Sequence, residues 1–294
     1  MIEEKIFIGD DYPLQGVLTL PSTQKTSYPL VILIPSPGKI DRDYTTKNSK
    51  VYQDLTVQLA NLGIATYRYD SRTFVHHRQL IKDFKRDFTV NEEIIADVLH
   101  ATDKLKLEKK IDIKNIFLLG HHLGGGMLPR AATLNDSYRG LIILSPTEKK
   151  QEDIMKEKQQ ALLDKSKGLI KQLMKKQIMK VQQNLDYLYQ FTDDEAQLYP
   201  LTPGKTYYYL KEAGLFSFKE LIPKVEIPTL LIHGKQSPVV SASEMINIKN
   251  TVKENVNITI KEYDGLDDLL LKTGENNKFS ETVAKDIAEW VLKR

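Results

Sequence analysis

The stretch Ile116-Phe117-Leu118-Leu119-Gly120-His121-His122-Leu123-Gly124-Gly125 decides how this chain folds. An apolar run of strand type leads into the pattern G-x-H-x-G, and a helical pattern follows it. Glycines two residues before and two residues after His122 allow a strand and a helix to approach closely around a strained turn. The pattern therefore predicts that the His122 side chain is presented at the carboxyl end of a buried strand.

Short apolar runs alternate with helical patterns on both sides of this stretch. The predicted strands are Lys5–Ile8, Leu14–Leu20, Val31–Ile34, Ala65–Tyr69, Ile116–Leu119, Leu141–Leu144, Leu230–Ile232 and Ile258–Tyr263. The predicted helices are Val51–Leu62, Val90–Lys106, the residues after Gly124, Ala242–Val252 and Thr282–Lys293. Continuous apolar runs are typical of strands buried on both faces. The sequence predicts an α/β fold with a doubly wound, mainly parallel sheet and an antiparallel strand pair at its start.

One segment breaks this alternation. No strand pattern occurs from Glu148 to about Gln190, and lysine is dense from Lys149 to Lys180. Four apolar residues at spacings of seven and four form a ladder that predicts one face of a helix: Met155, Leu162, Leu169 and Leu173. We expect Gly168 to kink or end the first helix. We therefore expect an α/β core over 1–147 and 223–294, with a helical lid inserted over 148–222. Two interpretations remain open: an insertion with solvated lysines, or a substrate lid whose Met and Tyr side chains line an apolar pocket.

Composition and charge exclude several classes of function. The 294 residues carry 42 Lys and Arg against 39 Asp and Glu, a net charge of +3, and no basic tract has interleaved aromatic residues. We therefore expect no nucleic-acid partner. The chain has no cysteine, which excludes disulfides and thiolate chemistry. No run approaches the roughly 20 apolar residues of a membrane span, and we expect a cytoplasmic protein, with homodimer formation left open.

Four further motifs, together with the G-x-H-x-G turn, resemble the α/β-hydrolase superfamily, specifically bacterial acyl esterases and thioesterases with a G-H-S-L-G-G elbow. Pro35–Asp43 is similar to the oxyanion loop H-G-S-G-P-x-D-R-D, and Gly63–Arg72 is similar to the strand that follows it. Ile227–Val240 resembles the strand that carries the family's catalytic acid, and Tyr263–Leu269 resembles the loop that carries its histidine. The resemblance covers nearly the whole chain and implies the α/β-hydrolase fold.

The residues that the resemblance places at the catalytic positions are not the family's own. His122 stands where the family has its serine, Ser237 where it has its acid, and Asp268 where it has its histidine, with Asp267 beside it. In acyl transfer a hydroxyl attacks, an imidazole takes the proton and a carboxylate orients the imidazole. No standard triad can form from these positions, although the same three residue types are present.

A permuted triad is the first functional hypothesis. Ser237 would be the nucleophile, His122 the base and Asp268 the group that orients it, with Asp267 as an alternate, acting on a small or medium acyl ester or thioester. The resemblance implies oxyanion donors at Leu123 and in the loop Ser36–Gly38, where Ser36 is also a second candidate nucleophile. That loop is flanked and interrupted by Pro35 and Pro37, which have no N–H to donate.

The second hypothesis is an inactive relative of the hydrolases that binds an apolar small molecule or a partner without turnover. We expect no cofactor under either hypothesis. Adjacent histidines point in different directions, so the pairs His121-His122 and His76-His77 predict no metal site. The histidines of the first pair are expected in an exposed loop.

Overall fold

A large twisted sheet organises the chain in the computed structural model, which describes residues 1–23, 25–272 and 277–294. The strands are β1 (Ile2–Ile8), β2 (Leu14–Leu20), β3 (Tyr28–Ile34), β4 (Ala65–Tyr69), β5 (Ile111–His121), β6 (Tyr138–Leu144), β7 (Pro200–Thr202), β8 (Lys205–Thr206), β9 (Thr229–Gly234) and β10 (Ile258–Tyr263). Eight of them form one sheet in the order β1-β2-β4-β3-β5-β6-β9-β10. Strand β2 is antiparallel to β1 and β4, and the other neighbours are parallel. The predicted fold class is confirmed.

Helices form in each range where one was predicted, with several boundaries that differ by a residue or two, and the structure has further helices that the sequence did not predict. They are α1 (Val51–Asn61), α2 (Arg72–Lys82), α3 (Ala96–Leu105), α4 (His122–Gly126), α5 (Leu128–Leu134), α6 (Gln151–Lys165), α7 (Gly168–Asp186), α8 (Asp193–Leu198), α9 (Tyr207–Leu215), α10 (Phe218–Leu221), α11 (Ala242–Val252) and α12 (Glu281–Leu292). The predicted Val90–Lys106 helix begins instead as a π-helical turn, Asn91–Ile95, that leads into α3.

The central strands explain why their sequences are continuously apolar. Every residue from Leu30 to Ile34 and from Ile116 to Leu119 has no exposed surface. Helices therefore cover both faces of β3 and β5, as the parallel pairing requires. Burying each of these aliphatic side chains contributes roughly 1.5–3 kcal/mol relative to leaving it in water. This packing holds the carboxyl ends of the strands at one rigid edge, where β5 ends at His121.

The chain divides into two compact units. The first consists of Met1–His77, Glu92–Glu148 and Phe218–Arg294, and it contains the large sheet. The second consists of Arg78–Asn91 and Lys149–Ser217, and it contains α6 to α9 with the β7–β8 pair. The 148–222 range expected for a lid overlaps most of this second unit but does not include Arg78–Asn91. No described helix has the length and apolar content needed to cross a membrane.

The apolar ladder of the second unit lies on two helices, so its members do not share one helix face. Of the two expectations for Gly168, a kink or a break, the structure has the break. Helix α6 ends at Lys165, and α7 begins at Gly168 with a positive φ of +59°. The Ser166 hydroxyl donates to the Leu162 carbonyl and satisfies one of the unpaired acceptors at the end of α6. Leu162, Leu169 and Leu173 are 54%, 71% and 59% exposed, so these three side chains are not core residues.

Candidate active site

The turn between β5 and α4 has the geometry of a nucleophile elbow with a histidine at its apex. His122 has φ +50°, a left-handed conformation that costs a side chain other than glycine roughly 1–2 kcal/mol. A Cβ on Gly120 would lie 2.7 Å from the Gly125 nitrogen, and a Cβ on Gly124 would lie 3.1 Å from the Ser36 Cα. Glycine is therefore required where the strand, the helix and the neighbouring loop make backbone contact.

Ser36 fastens the neighbouring loop to this elbow. Its hydroxyl donates to the backbone carbonyl of His121 at 2.9 Å and accepts the N–H of Gly124 at 3.3 Å. The side chain is buried. The two partners are 85 and 88 residues away in the sequence, so these hydrogen bonds hold distant segments together. Ser36, the second candidate nucleophile, therefore has a structural role.

The loop that the resemblance assigns to the oxyanion hole has few free N–H groups. Pro35 and Pro37 carry none. The N–H of Gly38 donates to the buried carboxylate of Glu93 at 3.3 Å, and the Gly38 carbonyl accepts from the Ser71 hydroxyl at 2.6 Å. Leu123 follows the elbow residue inside α4, where first-turn N–H groups have no partner within the helix. Of the three expected donors, Leu123 is thus in a suitable position, Gly38 is committed to Glu93, and the backbone N–H of Ser36 stays a predicted donor.

His121 is buried at the end of β5 and links three loops, so the expectation of an exposed loop histidine is wrong for it. Its Nε2 lies 2.8 Å from the backbone carbonyl of Asp268, and its Nδ1 lies 3.0 Å from the Tyr44 hydroxyl. Since a carbonyl only accepts, Nε2 carries the proton and Nδ1 accepts from Tyr44. Burial lowers the pKa of His121 to about 4, so the ring is neutral near pH 7.

Ser237 lies in the turn that follows β9, and its hydroxyl oxygen caps that turn. It accepts the N–H of Val239 at 3.2 Å and the N–H of Val240 at 2.9 Å. The Ser237 N–H in turn donates to the Gly234 carbonyl at 3.0 Å. Within the described parts of the chain these are the hydrogen bonds of this residue, and neither His122 nor Asp268 takes part in them.

Asp267 and Asp268 lie together in the loop after β10. One carboxylate oxygen of Asp267 accepts the N–H groups of Leu269 and Leu271, both at 2.9 Å. Burial raises the pKa of both aspartates above the ordinary value. The Asp268 carbonyl, besides accepting from His121, accepts from the Ser145 hydroxyl at 2.5 Å. The contact of this loop with the elbow is thus made by the Asp268 backbone.

Sequence reasoning identified the elbow but missed His121, Tyr44 and Glu93. Successive side chains of a strand point to opposite faces of the sheet, so two adjacent histidines at a strand end cannot both point into the same part of the core. That alternation is the signal that assigns His121 to the interior. No comparable pattern marks Tyr44 or Glu93, because their partners are far away in the sequence. Among the residues described, no group of three or more His, Asp or Glu side chains is arranged to hold a metal ion.

Comparison with known proteins gives consistent matches over almost the entire chain. Residues 45–271 match the family described as serine aminopeptidase, S33. The chain is 28% identical to esterase EstD of Thermotoga maritima over 300 residues, covering 95% of this chain and 66% of that protein. This chain therefore spans slightly less than two thirds of that relative's length.

Solved structures share the fold at low sequence identity. Est1E from Butyrivibrio proteoclasticus superposes with a TM-score of 0.61 at 17% identity, covering 98% of each chain. The esterase domain of a Rhodothermus marinus protein superposes with a TM-score of 0.61 at 12% identity, covering 100% of this chain and 99% of that chain. These similarities establish the architecture, whereas the site must be judged from its own residues.

Proposed function

The chain belongs to the serine aminopeptidase S33 family of α/β-hydrolases, and we propose that it is a member that binds a small acyl compound without hydrolysing it. The fold and the esterase-like relatives are those of an ester hydrolase. The sequence resemblance assigns His122, Ser237 and Asp268 to the three positions that carry the chemistry in such enzymes. The proposal concerns what this altered site does.

The observation that carries the proposal is the hydrogen bonding of the Ser237 hydroxyl. Its oxygen accepts two backbone N–H groups, from Val239 and Val240. A serine oxygen has two lone pairs, so neither is left to attack a carbonyl carbon. Both bonds also withdraw electron density from the oxygen and weaken it as a nucleophile. A hydroxyl in this arrangement stabilises a turn.

The loop beside the elbow supports the same conclusion. Pro37 has no N–H, and the N–H of Gly38 donates to Glu93. The loss of one oxyanion donor typically costs about 10²–10³ in rate. With the Gly38 N–H committed to Glu93, even a nucleophile with a free lone pair would have weaker stabilisation of the tetrahedral intermediate than the intact loop provides.

The elbow itself supports a retained binding site. His122 keeps a left-handed backbone at the apex, and Gly120 and Gly124 keep the close approach that presents it. A residue in such a conformation is maintained by the surrounding structure, and strain of this kind is concentrated at functional sites. An imidazole presented at this edge can hydrogen-bond to the carbonyl or carboxylate of an acyl ligand.

Hydrolysis by the permuted triad is the second candidate, favoured by the presence of serine, histidine and aspartate at the three positions. It requires the Ser237 hydroxyl to give up its hydrogen bonds to Val239 and Val240 and to rotate toward His122. This alternative predicts that removal of the Ser237 hydroxyl and removal of the His122 imidazole each abolish activity, with losses of similar size.

The test combines turnover with binding on the intact chain. We expect no hydrolysis of nitrophenyl butyrate above buffer, and saturable thermal stabilisation by medium-chain fatty acids or their amides. His122→Ala should remove that stabilisation, whereas His100→Ala, a matched change at an exposed position of α3, should not. Ester hydrolysis that disappears in Ser237→Ala would overturn the proposal and favour the permuted triad.

A further inference from the structure

The hairpin of α6 and α7 in the second unit ends in exposed aliphatic side chains. Leu162 near the end of α6 is 54% exposed, and Leu169, Ile170 and Leu173 at the start of α7 are 71%, 66% and 59% exposed. We call these four residues the apolar tip. Exposed leucines scattered singly are ordinary on a protein surface, whereas a cluster indicates an interaction site.

On α7 the exposed residues form a continuous stripe. Leu169 and Leu173 are four residues apart, and Ile170 and Leu173 are three apart, so their side chains are neighbours on the helix surface. The buried side of α7 is a different one, since it carries Ile178 and Leu185 at 8% and 4% exposure. Helix α7 therefore has one apolar face that is buried and a second that is open.

A strong local positive charge surrounds the open face. Residues 162–185, which include the apolar tip, contain six lysines and one acidic residue, Asp164, although the whole chain has a net charge of only +3. The six are Lys165, Lys167, Lys171, Lys175, Lys176 and Lys180. Within the described residues none of them forms an ion pair, in contrast to Lys149 just before α6 and Lys156 within it, which pair with Glu157 and Asp186.

We propose that the α6–α7 hairpin docks on the surface of an anionic lipid bilayer, a role separate from the site at His122. Aliphatic side chains of the apolar tip would enter the boundary between headgroups and acyl chains. The surrounding lysines would lie at the level of the lipid phosphates, where anionic headgroups attract basic residues. The hairpin lies on the membrane in this arrangement and does not cross it.

Two other occupants fit the surface less well. Nucleic-acid sites combine basic residues with aromatic side chains that stack on bases, whereas the apolar tip is entirely aliphatic. A second copy of this chain would bring two sets of six lysines together across a symmetric interface. Like charges so placed repel one another, and the single carboxylate of Asp164 is too little to offset six lysines.

Co-sedimentation of the full chain with lipid vesicles tests the proposal. We expect binding to vesicles of equal parts phosphatidylcholine and phosphatidylglycerol, little binding to phosphatidylcholine alone, and release by high salt. The charge variant Lys171→Gln, Lys175→Gln, Lys176→Gln should lower the partition coefficient at least about tenfold, because each lysine contributes roughly fivefold. The apolar variant Leu169→Ser, Leu173→Ser should lower it by a similar factor.

Matched control variants come from the last turn of α3 and the loop that follows it. Lys104→Gln with Lys109→Gln and Lys110→Gln removes the same charge from exposed positions, and Leu107→Ser removes a side chain that is 76% exposed. Neither control should change the partition coefficient by more than about twofold. Equal loss in the controls, equal binding to neutral vesicles, or no binding to anionic vesicles would overturn the proposal. So would a dimer that the apolar variant dissociates, or retention by a polynucleotide but not by vesicles.

Discussion

The imidazole of His121 donates from Nε2 to the backbone carbonyl of Asp268, 2.8 Å away, and joins the elbow to the loop after β10. Its other nitrogen accepts from the Tyr44 hydroxyl at 3.0 Å. A buried, neutral ring therefore links three chain segments at the edge of the sheet. In this arrangement the interior histidine holds the site together, and His122 is the residue that the elbow presents.

Acid should destabilise the fold through His121. Its pKa is about 4 in the folded chain against an ordinary 6.5, so the unfolded chain binds more protons between these values. The stabilisation is fully present above pH 6.5, is lost as the pH falls toward 4, and amounts to something on the order of 3 kcal/mol. Urea unfolding at a series of pH values measures it.

A variant isolates this contribution from the carboxylates. Burial raises the pKa of Asp97 to about 6, which stabilises the folded chain as the pH falls and so acts in the opposite direction. His121→Gln keeps Asp97 and retains an amide N–H that can reach the Asp268 carbonyl. We expect the difference between wild type and variant to shrink from pH 7 to pH 4.5. A difference that does not change with pH would refute the role assigned to His121.

The backbone strain at His122 should reverse the usual order of stability, in which an alanine variant is more stable than a glycine variant. Because φ is +50° there, His122→Gly should be more stable than His122→Ala by about 1 kcal/mol. At His100, in the regular helix α3, the glycine variant should be the less stable one by about the same amount. Thermal unfolding of the four variants checks the pattern, and the same order at both positions would contradict it.

The contact between strand and helix at the elbow should tolerate no side chain. Gly120→Ala would place a Cβ 2.7 Å from the Gly125 nitrogen, and we expect it to lower the free energy of unfolding by about 3 kcal/mol or more. Gly126→Ala is the matched control, since its Cβ would meet Phe218 at an ordinary 3.5 Å. It should be neutral or slightly stabilising. Equal losses in denaturant unfolding would argue against the close approach.

Restoring the family's residues should not suffice for efficient catalysis. The triple variant His122→Ser, Ser237→Asp, Asp268→His rebuilds the triad, but Pro37 still contributes no N–H. Adding Pro37→Ser to the triple variant should raise the hydrolysis of nitrophenyl butyrate by about 10²-fold. Circular dichroism verifies the fold of both variants. Equal activity in the two would mean that the loop is not what limits this scaffold.

The fold could be predicted because its determinants are local. Continuous apolar runs mark the buried strands, and the glycines on either side of His122 mark the tight turn that follows β5. The chemistry of the site could not be predicted in the same way. Whether Ser237 offers a lone pair depends on the orientation of a hydroxyl toward Val239 and Val240, and that orientation is set by the folded turn.

The second unit also has a feature that its sequence could not predict. Spacing alone placed Leu162 and Leu169 on one helical face, and the break at Ser166 separates them onto two helices. Helical periodicity identifies an apolar stripe but does not say what the stripe packs against. Here part of the stripe remains exposed, and only the folded chain reveals it.

Intact-protein mass spectrometry after treatment with a fluorophosphonate tests the central claim most directly. The reagent labels a serine whose oxygen is activated and free to attack. Because the Ser237 oxygen accepts the N–H groups of Val239 and Val240, we predict no adduct on the native chain. An adduct that maps to Ser237, and that His122→Ala abolishes, would contradict the account and establish a working permuted triad.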